Sequence, residues 1–184
     1  MDNGASSYRR FLDGDDSAFT EIVRDYKDGL IFFLGSFVGD IQTAEELAED
    51  TFVRIGIKKP LFGARSSFKT WLYAVGRNVA VDYLRKIKRQ NTVSLETYGQ
   101  VYDDGSLENS FFREERKIVI HRAMSNLKEE YRQVLWLFYF EDLSQKEISK
   151  IMKKSVHNIE TLTYRARQSL KSELIKEGFT YEDL

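Results

Sequence analysis

The chain has 184 residues, of which 42% are hydrophobic and 31% charged, and its formal net charge is −1. This composition argues against disorder, and the absence of cysteine excludes disulfides, thiolate metal sites and cysteine nucleophiles. The N-terminal MDNGASSYRR shows no signal-peptide pattern, and the longest apolar run, Val134–Phe140, is too short to span a bilayer. We therefore expect a globular, cytoplasmic protein without membrane insertion.

The near-zero net charge hides a strong asymmetry along the chain. Residues 13–50 contain eleven acidic side chains and two basic ones, whereas residues 77–89 contain five bases and one acid. Residues 144–176 contain eight bases and three acids. This distribution favours two partners of opposite charge.

The first half of the chain predicts helices, because its apolar residues recur at steps of three and four. The first stripe runs from Phe19 to Phe37 and ends near Gly39. A second helix is predicted to begin at Thr43 as its N-cap, with Glu46 completing a capping box. Its buried side is expected to consist of Ala44, Leu47, Ala48, Thr51, Phe52 and Ile55.

A loop and a third long helix follow. Residues 58–66 (KKPLFGARS) contain the only proline and a glycine, so they cannot continue the second helix. Ser67 is the predicted N-cap of the third helix, whose basic residues lie mostly opposite its apolar side. That apolar side is expected to hold Phe68, Trp71, Leu72, Val75, Val79 and Tyr83.

The periodicity disappears between Gln90 and about Ser110, where Asn, Ser, Thr, Asp and Gly predominate, as in an interdomain linker. Helices are then predicted over 113–125 and 128–140, followed by two short helices divided at Lys153 and Lys154. The fold class is therefore all-α, with two small helical domains joined by a flexible linker. The expected boundaries are domain 1–89, linker 90–112, domain 113–176 and tail 177–184.

The two last helices have the spacing of a helix-turn-helix, whose second helix can enter the major groove of DNA. Ser144 with Glu147 forms a capping box, and Ser155 is the N-cap candidate of the second helix. Lys153 occupies the turn position where glycine is common. The expected buried residues are Ile148, Ile151 and Met152 in the first helix, and Val156, Ile159 and Leu162 or Thr163 in the second.

The exposed side of the second helix carries donors and acceptors suited to base edges, followed by arginines suited to phosphates. The residues expected to contact DNA are Ser155, His157, Asn158, Glu160, Thr161, Tyr164, Arg165 and Arg167. Two amphipathic helices of an ordinary bundle would show a similar pattern. A stand-alone transcription regulator is a further alternative, although it has no use for the acidic segment.

An enzyme has little support in this sequence. The two histidines, His121 and His157, lie far apart and lack paired carboxylates at metal or acid–base spacing. The acidic run at 13–16 fails as a calcium loop because Ala18 and Arg24 stand where glycine and glutamate are needed. We therefore expect no catalytic residue, metal, cofactor or small-molecule substrate.

Four segments together resemble the extracytoplasmic-function sigma factors of the bacterial sigma-70 superfamily. GDDSAFTEIVRDY, AEELAEDTFVRI and SSFKTWLYAVGRNVAVDYLRK are similar to successive parts of the family's sigma-2 domain. LKEEYRQVLWLFYFEDLSQKEISKIMKKSVHNIETLTYRARQSLK is similar to its sigma-4 domain. The resemblance covers nearly the whole chain. It implies a specificity subunit that binds core RNA polymerase and recognises the −10 and −35 elements of promoter DNA.

The resemblance also implies a role for each surface. In the family, the second helix of sigma-2 binds the largest polymerase subunit, which here corresponds to Glu45, Glu46, Glu49, Asp50, Phe52 and Arg54. The loop and third helix hold the −10 element, which corresponds to Phe62, Arg65, Ser66, Ser67, Lys69, Trp71, Arg77, Asn78 and Arg85. Trp71 is open to two interpretations, stacking on DNA bases or packing in the core.

The last helix is assigned by the resemblance to the −35 element. Many family members are held inactive by an anti-sigma factor, which makes such a protein a candidate partner.

Overall fold

The computed structural model describes residues 3–63, 66–90, 119–120 and 122–179. These residues form helices and turns without a strand. The helices are α1 (Asn3–Leu12), α2 (Asp16–Val38), α3 (Ile41–Lys58), α4 (Phe68–Gln90), α5 (Glu129–Leu135), the π-helix π1 (Trp136–Phe140), α6 (Gln145–Met152) and α7 (Val156–Lys176). We call α1–α4 the N-terminal unit and residues 122–179 the C-terminal unit. The linker predicted over 90–112 lies outside the described residues, apart from Gln90.

The predicted helices α2 and α3 are present, but the start of α3 differs from the prediction. Asp40, not Thr43, is its N-cap, and the Asp40 carboxylate accepts a hydrogen bond from the Thr43 backbone N–H at 2.8 Å. A carboxylate satisfies an exposed N–H at least as well as a hydroxyl does, so the N-cap lies three residues earlier than predicted. The end of α2 at Gly39 is confirmed, with a left-handed backbone at φ 70°.

Helix α1 was not predicted, and it packs across the beginning of α4. The Tyr8 ring lies 5.4 Å from Phe68 and 5.2 Å from Trp71 between centroids. Its hydroxyl donates a 2.8 Å hydrogen bond to the carbonyl of Pro60, and burial raises the pKa of Tyr8 to about 12. Helix α1 thereby holds the loop that precedes α4.

Helix α4 is capped by Ser67, as predicted, through a 3.2 Å hydrogen bond from the Thr70 backbone N–H. Phe68, Leu72 and Val79 are buried, whereas the expected core residues Trp71, Val75 and Tyr83 are only half-buried. The fully buried face also includes Tyr73 and Ala80, which the predicted stripe had omitted. The helix buries a broader face because it packs against both units.

The C-terminal unit contains the predicted helix-turn-helix. The Ser144–Glu147 capping box is present, and the Ser155 hydroxyl accepts from the Asn158 N–H at 3.2 Å. Lys153 adopts a left-handed backbone with φ 55°. Two expectations were wrong: α7 has 21 residues and is not short, and Val156 is exposed because it lies in the first turn, beyond the core.

The helix predicted over 128–140 changes type within its length. Helix α5 ends at Leu135, and the next five residues form π1, in which the Glu141 N–H bonds to the Trp136 carbonyl at 3.2 Å. The wider turn places Trp136 and Phe140 in a parallel stack with centroids 4.4 Å apart.

The two units pack against each other, and their buried apolar residues form one continuous cluster. Helix α6 lies against α4, while α5 and π1 lie against α2. No described helix is long and apolar enough to span a membrane.

Candidate nucleic-acid and protein interfaces

Helix α3 presents an acidic row to solvent. Glu45, Glu46, Glu49 and Asp50 are exposed, as is Arg54 at the end of the row. Phe52, which the sequence had placed on the same surface, is only 6% exposed and belongs mainly to the core. It contributes to the surface as part of a groove wall.

An apolar groove of about 400 Å³ runs beside this row, between α2 and α3. Val53 and Ile57 stand on its rim with 54% and 78% of their surface exposed. The remaining lining residues are Phe19, Val23, Lys27, Ala48, Glu49, Phe52 and Gly56. The sequence interpretation missed this groove, although two apolar residues four apart on a polar helix face are the signal for it.

An aromatic cluster forms the base of the loop before α4. The Phe62 ring lies 5.7 Å from Phe68 and 5.6 Å from Trp71, and Trp71 lies 5.4 Å from Phe68. Phe62 and Trp71 keep part of their surfaces exposed. The packing of Trp71 against three rings favours a core role for that side chain. Arg65 lies outside the described residues.

The polar residues at the start of α4 face the C-terminal unit. The Lys69 ammonium lies 2.8 Å from the Glu141 carboxylate and donates to the Glu141 carbonyl at 2.9 Å. The Ser67 and Thr70 hydroxyls donate to the Glu147 carboxylate at 3.0 and 3.1 Å. Ser66 is half-buried nearby.

Glu147 and Glu141, the acidic residues that contact α4, lie in a partly buried environment that shifts nearby pKa values. Burial pushes the pKa of Glu147 upward, but hydrogen bonds from Ser144, Ser67 and Thr70 outweigh it and lower the pKa below its usual range. Burial, and then the charge of Glu141, raise the pKa of the Tyr73 hydroxyl far above its usual range. The Glu147 carboxylate therefore fits the ionised form.

Further along α4, the basic side chains are partly engaged. Arg77 is half-buried, and burial and the charge of Arg85 lower its pKa, while Glu129 and Glu130 of the C-terminal unit oppose that change. The Asn78 side-chain oxygen accepts from the Lys153 ammonium at 2.8 Å. Arg85 remains exposed, 3.7 Å from Asp82.

Helix α7 offers an open surface. His157, Asn158 and Arg165 are exposed, Tyr164 is 66% exposed, and Thr161 is partly exposed at the same side. A shallow groove of about 320 Å³ separates this face from the start of α5. Its walls are formed by Lys128, Glu130, Tyr131, Lys154, Asn158, Thr161, Leu162 and Arg165.

The remaining predicted residues of α7 differ in position. Ser155 is exposed but its hydroxyl caps the helix, and Glu160 lies 3.9 Å from the His157 ring nitrogen. Arg167 stands over the rings of Phe138 and Tyr139, at 4.8 and 5.3 Å from their centroids. The structure therefore groups His157, Asn158, Thr161, Tyr164 and Arg165, and leaves Arg167 at the flank. Among the described residues, no acidic or histidine cluster is arranged to hold a metal ion.

Comparison with known proteins identifies both units. The family model for sigma-70 region 2 matches residues 22–90, and the model for sigma-70 region 4 matches residues 117–170. The ECF RNA polymerase sigma factor SigM of Bacillus subtilis is 36% identical over 152 residues, covering 83% of this chain and 92% of the relative. SigW of the same organism is 31% identical over 170 residues, covering 88% and 91%.

Two solved structures share the fold. The sigma factor RpoE of Bartonella quintana, solved with the anti-sigma factor NepR, aligns with a TM-score of 0.65 and 24% identity over 88% of this chain and 98% of that one. CnrH, solved with the cytosolic domain of CnrY, aligns with a TM-score of 0.62 and 21% identity over 96% and 97%.

Proposed function

Because the chain belongs to the extracytoplasmic-function group of sigma-70 factors, which direct RNA polymerase to promoters, we propose a division of that task among its surfaces. Helix α3 binds core RNA polymerase, α4 with its preceding loop binds the −10 element, and α7 binds the −35 element. The proposed domains are 1–89 and 113–176, with 90–112 between them.

The polymerase contact is supported by the groove between α2 and α3. Apolar rim residues such as Ile57 contribute burial, and the adjacent Glu49 and Asp50 provide charge that steers and aligns a basic helix. A stand-alone regulator has no need of such a groove. The observation that carries this part of the proposal is therefore an apolar groove flanked by exposed acids.

The −35 contact is supported by the exposed face of α7. Asn158 and Thr161 can hydrogen-bond base edges, and Arg165 can bind a phosphate or a guanine. The −10 contact is supported by the donor-rich start of α4 and by the aromatic cluster below it. Phe62 keeps part of its ring exposed, which suits stacking on an unpaired base.

The proposed role is non-enzymatic, because the polymerase supplies the chemistry of RNA synthesis and this chain supplies binding. We propose that it acts in the cytoplasm, where bacterial polymerase and promoter DNA meet. A regulatory partner of the anti-sigma class, like the NepR present in one of the solved structures, is part of the proposal.

The test is reconstituted transcription with purified chain and core polymerase. We expect initiation at specific sites, and mapping of transcript starts gives both promoter elements. Combined Glu49→Lys and Asp50→Lys substitutions are expected to weaken core binding at least about tenfold. Asp13→Lys with Asp16→Lys makes the same charge change away from the groove and serves as the control.

Two results contradict the assignment. Specific binding to promoter DNA without any complex with core polymerase identifies a stand-alone regulator. An equal loss of core binding in both double variants removes the groove from the interface and leaves only a general charge effect.

A further inference from the structure

Two aromatic side chains of the π-helix π1 contact one arginine of α7. The Arg167 guanidinium carbon stands 4.8 Å from the centroid of the Phe138 ring and 5.3 Å from that of the Tyr139 ring. The two rings meet edge to face, with their centroids 5.1 Å apart and an interplanar angle of 81°. Phe138 and Tyr139 therefore form a two-walled support for Arg167, which we call the aromatic cradle.

The cradle is unusual because two adjacent residues supply its rings. Neighbouring side chains of an α-helix point to different sides and do not face one another. Within π1, Leu137 is fully buried, and Trp136 stacks in parallel on Phe140 at 4.4 Å between centroids. These contacts fix the orientation of π1 in the C-terminal unit, and with it the direction of the cradle.

The cradle orders Arg167 without burying it. Phe138 is half-buried, Tyr139 is 54% exposed, and Arg167 itself is exposed. A guanidinium over an aromatic face is attracted electrostatically to the ring, and the flat contact restricts the rotation of a long side chain. Because Arg167 is exposed, the N–H groups at the edge of its guanidinium stay accessible to a ligand.

The charge of Arg167 is not neutralised within the part of the chain that the structure describes, since no described residue forms an ion pair with it. The two acids of α7 lie beside other bases. Glu160 is 3.9 Å from the His157 ring nitrogen, and Glu173 is 2.7 Å from the Lys176 ammonium. A guanidinium has five N–H donors and no acceptor. An ordered, accessible cation of this kind fits an anion from outside the chain.

Arg167 lies on one flank of α7, and Arg165 lies on the other. Two residues of an α-helix correspond to about 200° of rotation, so the two arginines stand on either side of the exposed face that carries His157 and Tyr164. An α-helix with its side chains is about as wide as the major groove, so the flanks of an inserted helix face the two DNA backbones. The anion that suits Arg167 is therefore a backbone phosphate.

We propose that Phe138 and Tyr139 are positioning residues for promoter binding: the aromatic cradle holds the Arg167 guanidinium in place for a DNA phosphate at the border of the −35 element. Holding the side chain before DNA arrives removes part of the entropy cost of ordering it on binding. The guanidinium fork then binds two phosphate oxygens at once. The phosphate contact rests on the proposed function of α7, whereas the cradle is a property of the free chain.

The first experiment observes the cradle without DNA or polymerase. Protons over an aromatic ring resonate upfield, so the Nε–Hε signal of Arg167 should lie upfield of those of other exposed arginines in the nuclear magnetic resonance spectrum of the free chain. Its disappearance in Arg167→Lys assigns it. We expect Phe138→Leu and Tyr139→Leu to move the signal downfield, whereas Phe62→Leu, an aromatic substitution in the N-terminal unit, leaves it unchanged.

The second experiment measures the affinity of the full chain for a duplex oligonucleotide carrying the −35 element, located by mapping transcript starts. Arg167→Ala should weaken binding about fivefold and reduce the slope of log affinity against log salt by about 1, as expected for one lost phosphate contact. Phe138→Leu changes no charge, yet it should weaken binding about threefold because a mobile Arg167 must be ordered on binding. Phe138→Tyr restores a ring and should bind like the unmodified chain.

Combined substitutions separate positioning from general stability. If the ring acts through the arginine, Phe138→Leu should have no further effect on affinity in a chain that already carries Arg167→Ala. A ring that merely stabilised the fold would weaken binding equally in both backgrounds, and that result overturns the positioning role. Tyr139→Leu, at a position 54% exposed, serves as the second ring variant if Phe138→Leu loses helix content by circular dichroism.

The remaining outcomes distinguish the cradle from the phosphate contact. An Arg167 signal at the usual position of an exposed arginine, or one that neither ring variant moves, overturns the cradle. An upfield signal with unchanged DNA affinity in Arg167→Ala overturns the phosphate contact, provided that Arg165→Ala does weaken binding. If neither arginine variant alters the affinity, the proposed DNA binding by α7 fails together with the phosphate contact, and only the cradle of the free chain remains.

Discussion

Helices α4 and α7 are both proposed to bind promoter DNA, but the structure exposes the proposed surface of α7 and covers part of that of α4. On α7, Asn158, Tyr164 and Arg165 face solvent, whereas on α4 the side chains of Lys69 and Asn78 are bonded to the opposite unit. A helix that reads duplex DNA can remain open without harm. A surface that holds unpaired bases becomes useful only when the strands separate on the polymerase, so its concealment in the free chain is consistent with its task.

The largest expected effect is on the exposed surface. Arg165→Ala should weaken binding of the free chain to duplex −35 DNA about tenfold and reduce the slope of log affinity against log salt by about 1. The matched control is Arg85→Ala on α4, which should change duplex −35 affinity little. Titration over a series of salt concentrations measures both quantities, and equal losses in the two variants would erase the proposed difference between the helices.

Lys69→Ala provides a sharper comparison, because Lys69 is paired with Glu141 and is also proposed to contact the −10 DNA. The substitution leaves the Glu141 carboxylate without its cation, so the contact between the units should weaken. Single-stranded −10 DNA should bind no tighter to this variant, since the substitution removes the proposed phosphate contact. A clear gain in affinity for single-stranded DNA contradicts a DNA role for Lys69.

Tyr8→Phe tests how much the hydrogen bond from α1 to the loop before α4 stabilises the fold. The change removes the hydrogen bond to the Pro60 carbonyl but keeps the ring against Phe68 and Trp71. We expect the free energy of unfolding to fall by about 1 kcal/mol. Chemical denaturation measures it, with Tyr139→Phe, on an exposed ring of the C-terminal unit, as the control. No loss of stability indicates that the rings alone position the loop.

Lys153→Gly is expected to give the smallest effect. It separates the backbone strain at Lys153 from the hydrogen bond that the Lys153 side chain donates to Asn78. Glycine relieves the left-handed backbone at φ 55° and should stabilise the helix-turn-helix by about 0.5 kcal/mol. The loss of the bond to Asn78 should at the same time lengthen the distance between the units slightly. Lys153→Ala loses the same bond but keeps the strain, so only the glycine variant should resist denaturation better than the unmodified chain.

Local features of the fold were predictable from the sequence because they depend on neighbouring residues. The cap at Ser67, the capping box at Ser144 and the strained turn at Lys153 are all set within four residues. The cap at Asp40 was missed because two suitable residues lie close together, and only the backbone geometry selects one. Helix α1 was missed because it has too few apolar residues to show a periodicity.

The candidate site was predicted as a list of surface residues, but not as an arrangement. The four acids of α3 and the exposed side chains of α7 follow from helical periodicity. The pairing of Lys69 with Glu141 joins positions 72 residues apart, and no local pattern encodes it. The groove beside α3 also depends on packing, since α2 supplies one of its walls.

The π-helix has a consequence for how such a chain can change during evolution. Its five residues form a wider turn than an α-helix, and single π turns of this kind are frequent at functional sites. The Glu141 N–H closes this turn on the Trp136 carbonyl, so the length of the turn determines how the Glu141 carboxylate is presented to Lys69. An insertion or deletion confined to this turn can therefore alter the contact between Glu141 and Lys69 while every residue of the helix-turn-helix remains the same.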